Sequence, residues 1–436
     1  MNGARREVEA FLTDTGMHPD SIDLAAQVDA MLDEMKKGLA GESSSLAMIP
    51  TYVEIDATIP FDQEVVVLDA GGTNLRVAQV SFTPDGQSRI SGFSKHPMPG
   101  TRGREVSKAD FFDTLAALVK PLLKRGSKIG FCFSYPTEIF PDRDGRLIFW
   151  TKEVKAPEVA GCRIGSSLKE ALSDRGTHPV DVVILNDTVA ATLSGKASEI
   201  NREWGGYIGF ILGTGLNTCY LESNSAITKL PGLNQEHSQI INCESGNFRC
   251  RQRGRADEML GELTSDPEGY WLEKMLSGRY FGALAWQLIL LAVDEGLFSS
   301  SAERALRALG DLSTKDADNY LHNPSNPDSP LAAVKEHASP EDAARLWFLI
   351  DSLLERSAKL TAANLASSVL KGPCGNGPLK PVCLSIDGTT FYRYYRYQHR
   401  VESWLRPFLN SQNKYYEIVQ VADAPLIGAA VAALTN

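Results

Sequence analysis

Short apolar runs that are broken by glycine-rich turns are the clearest pattern in this chain. The apolar run at residues 64–69 is followed by the turn 70–74, and apolar and polar residues then alternate over 76–82. This pattern predicts a strand, a tight turn and a second strand. It returns at residues 207–212, where the turn is 213–215 and an alternating stretch follows.

A weaker third copy of this pattern consists of the apolar run 382–386 and the polar turn 387–390. Two further apolar runs, at residues 128–134 and 181–185, predict buried strands between the first two turns. Since a hairpin of the same kind opens each half of the chain, the repetition predicts two similar lobes that face one nucleotide.

Helical periodicity dominates the rest of the sequence. Apolar residues recur at near-helical spacing from residue 8 to about 39, which predicts one N-terminal helix that ends at the polar break 41–45. Residues 271–293 and 343–370 are also predicted to be helical, and 323–328 to be a loop. Strands and helices that alternate in this way predict an α/β protein.

Composition narrows the class of protein. A chain of 436 residues is too long for one ordinary core, so two lobes are expected. The net charge of −10 argues against nucleic acid or an anionic membrane surface as a partner. The 7 cysteines are an odd number without a CxxC pair, which argues against a disulfide framework or zinc site. With no apolar signal core near the N-terminus, a reducing, cytoplasmic location is expected.

The first glycine-rich turn has the groups that a phosphate site needs. Gly71 and Gly72 let the backbone approach phosphate oxygens, and the two polar residues after them add hydrogen-bonding side chains. Asp69 stands where a carboxylate can hold Mg²⁺ through its waters. One such turn could equally be an ordinary hairpin turn, but the second, at residues 213–215, favours phosphate binding. The sequence GxxxxGK[ST] is absent, so this is not a P-loop enzyme.

Asn186 and Asp187 follow the apolar run at 181–185. Ligand groups in α/β proteins gather beyond the carboxyl ends of strands, and a carboxylate there can accept a proton from an attacking hydroxyl. An Asn-Asp pair is also a common turn, which is the favoured interpretation when the pair is considered alone.

Eight short motifs in a fixed order make the chain resemble the hexokinase family from about residue 44 to 434. The phosphate motif LDxGGTNxR is matched over residues 68–76, and GTGxNxxYxE over 213–222. The family's FSxP, WTK, NDT, INxE, EKMxSG and DGS motifs are matched at residues 133–136, 150–152, 186–188, 241–244, 273–278 and 387–389, the last as Asp-Gly-Thr.

The resemblance implies an actin-like (RNase H-like) α/β fold of two lobes, each a mixed sheet flanked by helices, with a cleft between them. The small lobe is expected to comprise residues 60–186 and 419–436, and the large lobe 1–59 and 187–418. It also implies a hexokinase that uses ATP and Mg²⁺ to phosphorylate the 6-hydroxyl of a hexose, D-glucose first.

The resemblance assigns roles to individual residues. Asp187 is expected to be the base towards the primary hydroxyl of the sugar, with Lys152 beside it at the catalytic centre. Hydroxyls, amides and carboxylates that suit the hydroxyls of a sugar are expected at Ser134, Thr151, Lys152, Asn186, Asp187, Asn217, Glu244 and Glu273. Mg-ATP is expected to contact Asp69, Gly71, Gly72, Thr73, Asn74, Arg76, Gly213, Thr214, Gly215, Asp387, Gly388 and Thr389.

The chain departs from the family pattern at four positions, which are Glu153, Ser245, Ala283 and Pro425. The residue usual at Ser245 is Trp, and the usual residue at Ala283 is Glu. Two alternatives remain at this stage. A repressor-related glucokinase would share the fold but carry a zinc-binding cysteine cluster, whereas the cysteines here are dispersed. A non-catalytic sugar sensor would be expected to lack the base or a phosphate residue.

Overall fold

The computed structural model describes residues 2–150, 154–198, 202–327, 329–372 and 374–436. The α/β class predicted from the sequence is confirmed. The strands are β1 (Ile49–Pro50), β2 (Val65–Gly71), β3 (Asn74–Phe82), β4 (Ser88–Pro97), β5 (Lys128–Phe133), β6 (Thr137–Ile139), β7 (Gly145–Leu147), β8 (Asp181–Leu185), β9 (Gly206–Leu212), β10 (Leu216–Ser223), β11 (Ser238–Asn242), β12 (Val382–Asp387) and β13 (Tyr416–Val419).

The helices cover both sheets and form most of the second half of the chain. They are α1 (Asn2–Asp14), α2 (Leu24–Ala40), α3 (Lys108–Val119), α4 (Ile164–Asp174), α5 (Asp187–Ser198), α6 (Arg255–Glu262), α7 (Trp271–Leu276), α8 (Phe281–Asp294), α9 (Ser300–Leu309), α10 (Thr314–His322), α11 (Pro330–His337), α12 (Pro340–Lys371), α13 (Thr389–Arg393), α14 (Tyr397–Ser411) and α15 (Ala424–Thr435).

The two large sheets share one topology. The five-stranded sheet has the order β4-β3-β2-β5-β8, in which β2, β3 and β4 are antiparallel and β2, β5 and β8 are parallel. In the six-stranded sheet, β11-β10-β9-β12-β13 repeats this order and these directions, and β1 adds an edge. The repeated hairpin pattern in the sequence therefore reflects two sheets built in the same way.

The central strands explain the apolar runs. In β2 every residue except Gly71 is buried, and the β8 and β12 strands are buried along almost their whole length. Strands covered by helices on both faces are apolar throughout rather than alternating. The edge strand β4 contrasts with them, since most of its residues are exposed.

Helices α5 and α15 pack closely against each other and against the five-stranded sheet. A Cβ atom on Gly428 of α15 would overlap the carbonyl oxygen of Ala190 in α5. A Cβ atom on Gly130 of β5 would overlap the carbonyl oxygen of Ala429. The lack of a side chain at these two glycines lets the helix backbones approach each other and the sheet.

One expectation from the sequence is wrong, and one turn differs from its two counterparts. The apolar periodicity from residue 8 to 39 forms two helices rather than one, because Gly16 takes the left-handed conformation (φ 71°) and Pro19 opens a separate short turn. The third glycine-rich turn does not lead into a second strand, because Gly388, at φ 120°, is followed directly by α13. Residues 271–293 are helical apart from a break at residues 277–280 between α7 and α8, and the other predicted strands and helices named above are confirmed.

Replacing Gly428 with alanine tests the close helix contact. In an exposed helix this change is favourable, but here we expect overpacking to destabilise the protein by about 1–3 kcal/mol. The measurement is the midpoint of urea unfolding, followed by circular dichroism. Gly377→Ala is the matched control, since a Cβ atom there meets nothing within 4 Å. Equal midpoints for the two variants would contradict the prediction.

Candidate active site

Asp187 is held at the first turn of a buried helix. Strand β8 ends at Leu185, and the side chain Oδ1 of Asn186 then accepts the Thr188 amide at 2.8 Å, which is the bond of a helix N-cap. Asp187 is therefore the first residue of α5, where the helix dipole favours a carboxylate. Its side chain is half-buried, and Oδ1 accepts the Thr188 hydroxyl at 3.4 Å.

A chain of charged groups fixes the strand that leads into the first glycine-rich turn. Arg76 Nε donates to Asp69 Oδ2 at 2.7 Å, and a second guanidinium nitrogen of Arg76 donates to Asp423 Oδ1 at 3.0 Å. Asp69 is buried in β2, and Asp423 is the residue before α15. Arg76 therefore links Asp69 to the residue before α15. The sequence predicted that Arg76 contacts Mg-ATP.

The first turn itself presents an open surface. Gly72 has a φ of 73°, which favours glycine, and its carbonyl oxygen accepts the Tyr135 hydroxyl at 2.9 Å. The Thr73 carbonyl accepts the Met98 amide at 2.9 Å. These two hydrogen bonds anchor the turn on its protein side, whereas Gly71, Thr73 and Asn74 are exposed to solvent. The turn can therefore approach a phosphate group from its exposed side.

The second turn packs against the other residues assigned to ATP. The Gly213 carbonyl accepts both the Gly278 amide at 2.8 Å and the Thr390 hydroxyl at 2.9 Å. Parallel pairing of β9 with β12 brings the carboxyl ends of both strands to this place. Thr214 and Thr389 are exposed beside them. The structure thus joins the predicted residues Gly213–Gly215 and Asp387–Thr389, which are far apart in sequence.

Amide and carboxylate side chains form a third cluster at the ends of β10 and β11. Glu244 Oε1 accepts the Asn242 amide group at 2.8 Å and that of Asn217 at 3.2 Å. The amide group of Asn217 also donates to Asn242 Oδ1 at 2.7 Å. Glu273 adjoins this cluster, since its Oε2 accepts the backbone amide of Leu216 at 3.0 Å.

The carboxylates of this cluster, Glu244 and Glu273, have raised pKa values. Burial raises the pKa of Glu244 above its ordinary value, and the negative charges of Asp187 and Glu273 act in the same direction, against the hydrogen bonds from two asparagines. Burial also raises the pKa of Glu273. Several carboxyl groups thus share one poorly solvated region. The same region contains hydrogen-bond donors that stabilise the ionised carboxylates.

Asp187 lies within electrostatic reach of both sides of this region. Its charge raises the pKa of Glu244 in the amide cluster and also that of the buried Cys132 thiol, which is raised mainly by burial and further by Asp69. Cys132 is paired with Asp69 in the register of β5 and β2, and its sulfur lies 3.9 Å from Ser134 Oγ. Asp187 is therefore close enough to both Cys132 and the amide and carboxylate cluster for its charge to act on them.

Most of the described site residues fall into three groups, which are the first turn with Asp69 and Arg76, the second turn with residues 387–389, and the cluster that contains Asn217 and Glu244. Thr151, Lys152 and Glu153 lie outside the described residues. Of the other departures from the family pattern, Ser245 is buried, Ala283 is half-buried in α8, and Pro425 lies in the first turn of α15, where proline is well tolerated.

Asn242 and Asn364 are site residues to which the sequence analysis assigned no role. Asn242 belongs to a matched motif, and its position two residues before Glu244 at a strand end was the available signal. Asn364 is buried within α12 behind the cluster, and its amide group donates to Ser245 Oγ at 3.2 Å. No signal in the sequence singled out Asn364, because α12 contains many other polar residues, Thr361 and Ser368 among them.

Two negative findings apply to the described part of the chain. No three or more His, Cys, Asp or Glu side chains there are grouped so that they could hold a metal ion by themselves. Among the same residues, no helix combines the length and hydropathy that crossing a membrane requires.

A glycine-rich turn in each half of the chain, together with a cluster of carboxylates and amides at strand ends, is the pattern of a two-lobed sugar kinase. Comparison with protein families makes this specific. One model described as hexokinase matches residues 8–197, and a second matches residues 207–435. The chain therefore belongs to the hexokinase family, whose members are ATP-dependent sugar kinases, and the family and enzyme class expected from the sequence are confirmed.

Individual relatives agree with this assignment over nearly the whole chain. Hexokinase-7 of Oryza sativa subsp. japonica is 29% identical, and the alignment covers 94% of this chain and 94% of the relative. Hexokinase-2 of Schizosaccharomyces pombe is 28% identical over 92% of this chain and 91% of its own.

A solved structure confirms the two-lobed fold. The hexokinase from Schistosoma mansoni complexed with glucose has a TM-score of 0.77 to this chain at 22% sequence identity. The match covers 99% of this chain and 100% of that one. At this identity the likeness concerns the fold, and the predicted mixed sheets flanked by helices are confirmed.

The raised pKa of Glu244 predicts a pH-dependent stability. Above about pH 4, the Glu244 carboxyl loses its proton in the unfolded chain but keeps it in the folded chain. The free energy of unfolding of the ligand-free protein therefore falls as the pH rises through the raised pKa. The variant Glu244→Gln cannot ionise and should be more stable than the unmodified chain at pH 7, with no such difference near pH 4.

Urea unfolding at several pH values measures this effect. The exposed Glu262→Gln is the control and should show no comparable pH-dependent gain. A Glu244→Gln variant that is less stable than the unmodified chain at pH 7 would refute the electrostatic account.

Proposed function

We propose that this chain transfers the γ-phosphoryl group of ATP to the 6-hydroxyl of a hexose, with D-glucose as the preferred substrate. The product is the hexose 6-phosphate, formed at the first step of glycolysis. The position of Asp187 carries the proposal, because its charge acts on both Cys132 beside the first turn and Glu244 in the sugar-side cluster.

The sugar is proposed to bind against the amide and carboxylate cluster. Each hexose hydroxyl can donate one hydrogen bond and accept others, which suits groups such as Asn217, Glu244 and Glu273. A sugar that lacks one of these hydroxyls leaves a buried partner unsatisfied, at a cost of about 1–3 kcal/mol. Ser134 and Asn186, which follow β5 and β8, complete the described part of this set.

Asp187 is proposed as the general base. The sugar 6-oxygen attacks the γ-phosphorus, the bond from that phosphorus to the β,γ-bridging oxygen breaks, and ADP leaves with the bridging electrons. The hydroxyl proton passes to the Asp187 carboxylate. Since a free hydroxyl is a weak nucleophile, a fixed carboxylate beside it assists by accepting this proton. The N-cap of α5 supplies that fixed position.

The nucleotide is proposed to lie between the two turns, with its phosphates against the open side of turn 71–74 and against turn 213–215, in which Thr214 is exposed. The first turn belongs to the small lobe, which we propose to comprise residues 60–186 and 419–436. The second belongs to the large lobe, formed by 1–59 and 187–418. The packing of α15 on the five-stranded sheet supports adding the C-terminal segment to the small lobe. Closure of the lobes would exclude water from the reaction.

Mg²⁺ fits this site as a companion of the nucleotide. The Asp69 carboxylate lies in β2, two residues before the exposed turn, and its neighbour Gly71 has no side chain to shield it from the turn. Asp69 would hold the ion through water, as carboxylates commonly do for this cation. When bound, Mg²⁺ offsets the negative charge of the transferring phosphates.

We also propose that the enzyme works in the cytoplasm. None of the seven cysteines forms a disulfide, and most are buried, as expected for a protein of a reducing compartment.

Replacing Asp187 with asparagine tests the proposed base. The change keeps the size of the side chain and much of its hydrogen bonding but removes its basicity, so kcat should fall by about 10²–10⁴-fold. Glucose affinity, measured by calorimetric titration of the same variant, should fall far less. A variant that binds glucose and retains more than about a tenth of kcat would make Asp187 an orienting residue instead.

A substrate panel tests the proposed reaction. With ATP and Mg²⁺ fixed, we expect ADP release with D-glucose to exceed release with glycerol by at least about tenfold in kcat/KM, because glycerol leaves several ring-hydroxyl partners unpaired. The Asp187→Asn variant is the control for contaminating kinase. Comparable turnover of glycerol and glucose, or no hexose-dependent ADP release, would refute the proposal.

A further inference from the structure

Three buried polar side chains, Thr218, Ser245 and Asn364, form a closed triangle of hydrogen bonds behind the amide and carboxylate cluster. The Thr218 and Ser245 hydroxyl oxygens are 2.9 Å apart. Thr218 Oγ1 donates to Asn364 Oδ1 at 3.2 Å, and the Asn364 amide group donates to Ser245 Oγ at 3.2 Å. All three residues are at most 1% exposed, so water cannot replace a lost partner without entering the core.

Each hydroxyl in the triangle is adjacent in sequence to a proposed sugar ligand. Thr218 follows Asn217 in β10, and Ser245 follows Glu244 in the turn after β11. Asn217 Oδ1 accepts the backbone amides of both residues, at 2.7 Å from Thr218 and 3.3 Å from Ser245. The triangle therefore fixes the backbone next to Asn217 and Glu244, on the side away from the proposed sugar site.

Glu244 needs this support because its backbone is unfavourable. It has a φ of 56° and a ψ of 48°, the left-handed region, which costs a non-glycine residue about 1–3 kcal/mol. The following short turn, Ser245–Asn247, has no side-chain cap at Glu244. The side-chain link from Asn364 to Ser245 therefore joins this strained turn to the long helix α12.

We propose that Asn364 is a positioning residue that sets the affinity for the sugar by fixing Asn217 and Glu244 through Thr218 and Ser245. This inference rests on the proposed function, since it assigns those two residues to sugar binding. Asn364 acts on groups that bind the sugar rather than on the base, because Asp187 is anchored separately on α5.

The variant Asn364→Ala tests the inference by separating KM from kcat. We expect KM for glucose and the calorimetric Kd for glucose to rise about tenfold, because the two ligands lose their common support. We expect kcat at saturating glucose and KM for ATP to change less than about twofold. The lost interaction contributes equally to the ground state and the transition state, so its loss does not change kcat.

Ser368→Ala is the matched control. Ser368 is buried one turn further along α12, and its hydroxyl donates only to the backbone carbonyl of Asn364, at 3.1 Å. This variant removes a buried hydroxyl from the same helix without touching the triangle of side chains, and it should keep the glucose KM of the unmodified chain. If both variants shift KM equally, Asn364 is merely structural and the proposal is overturned.

A coupling measurement adds a second readout. In the background of Glu244→Gln, adding Asn364→Ala should raise the glucose KM less than about twofold, since residues that act as one unit are not additive. Fully additive effects would overturn the proposal. If Asn364→Ala does not fold, Thr218→Val removes one hydroxyl of the triangle at nearly constant shape and should give the same rise in KM; an unchanged KM would overturn the proposal.

Failure of this inference can be distinguished from failure of the proposed function. If the unmodified chain releases ADP only when glucose is present, the proposed reaction stands whatever the variants do. If it does so and Asn364→Ala keeps the same glucose Kd, only the positioning role is refuted.

Discussion

The close contact between helices α5 and α15 is the constraint on which the proposed site depends. Gly428 allows the two backbones to touch at Ala190, and this contact fixes both helix N-termini relative to the five-stranded sheet. The start of α5 carries Asp187. The residue before α15, Asp423, binds Arg76, which in turn binds Asp69 beside the first glycine-rich turn. One packing contact thus orients the proposed base and the proposed nucleotide side together.

The proposed sugar recognition by this cluster opposes the stability of the free protein. Glu244 and Glu273 are held where burial disfavours their charge, and Glu244 also has a strained backbone. Such features persist only when the surrounding structure enforces them. Here the enforcement has two layers, the amides of Asn217 and Asn242 around the carboxylate and the Thr218–Ser245–Asn364 triangle behind it. The family pattern has Trp where this chain has Ser245, so this polar support accompanies a departure in the chain's own sequence.

The differences between the predicted and the observed elements have local physical causes. A helical period continues across residues 15–23 although one left-handed glycine and one proline divide the helix there, because periodicity reports which face is apolar and not whether the backbone is continuous. The turn after β12 has the composition of a hairpin, yet it opens a helix, since such turn residues suit both outcomes. The order of the strands in the sheets could not be predicted either, because an apolar run does not indicate which other strand it pairs with.

The sequence by itself determined the features that depend on neighbouring residues: the glycine-rich turns, the buried strands and the polar residues at their ends, which together were enough to indicate the family. Only the tertiary structure decided which distant groups meet. Arg76 bonds to Asp423, 347 positions away, and Asn364 bonds to Ser245, 119 positions away. The raised pKa of Glu244 likewise arises from burial and from charges on other elements. Backbone conformation is set largely by local chemistry, whereas desolvation and long-range hydrogen bonds exist only once the chain has packed.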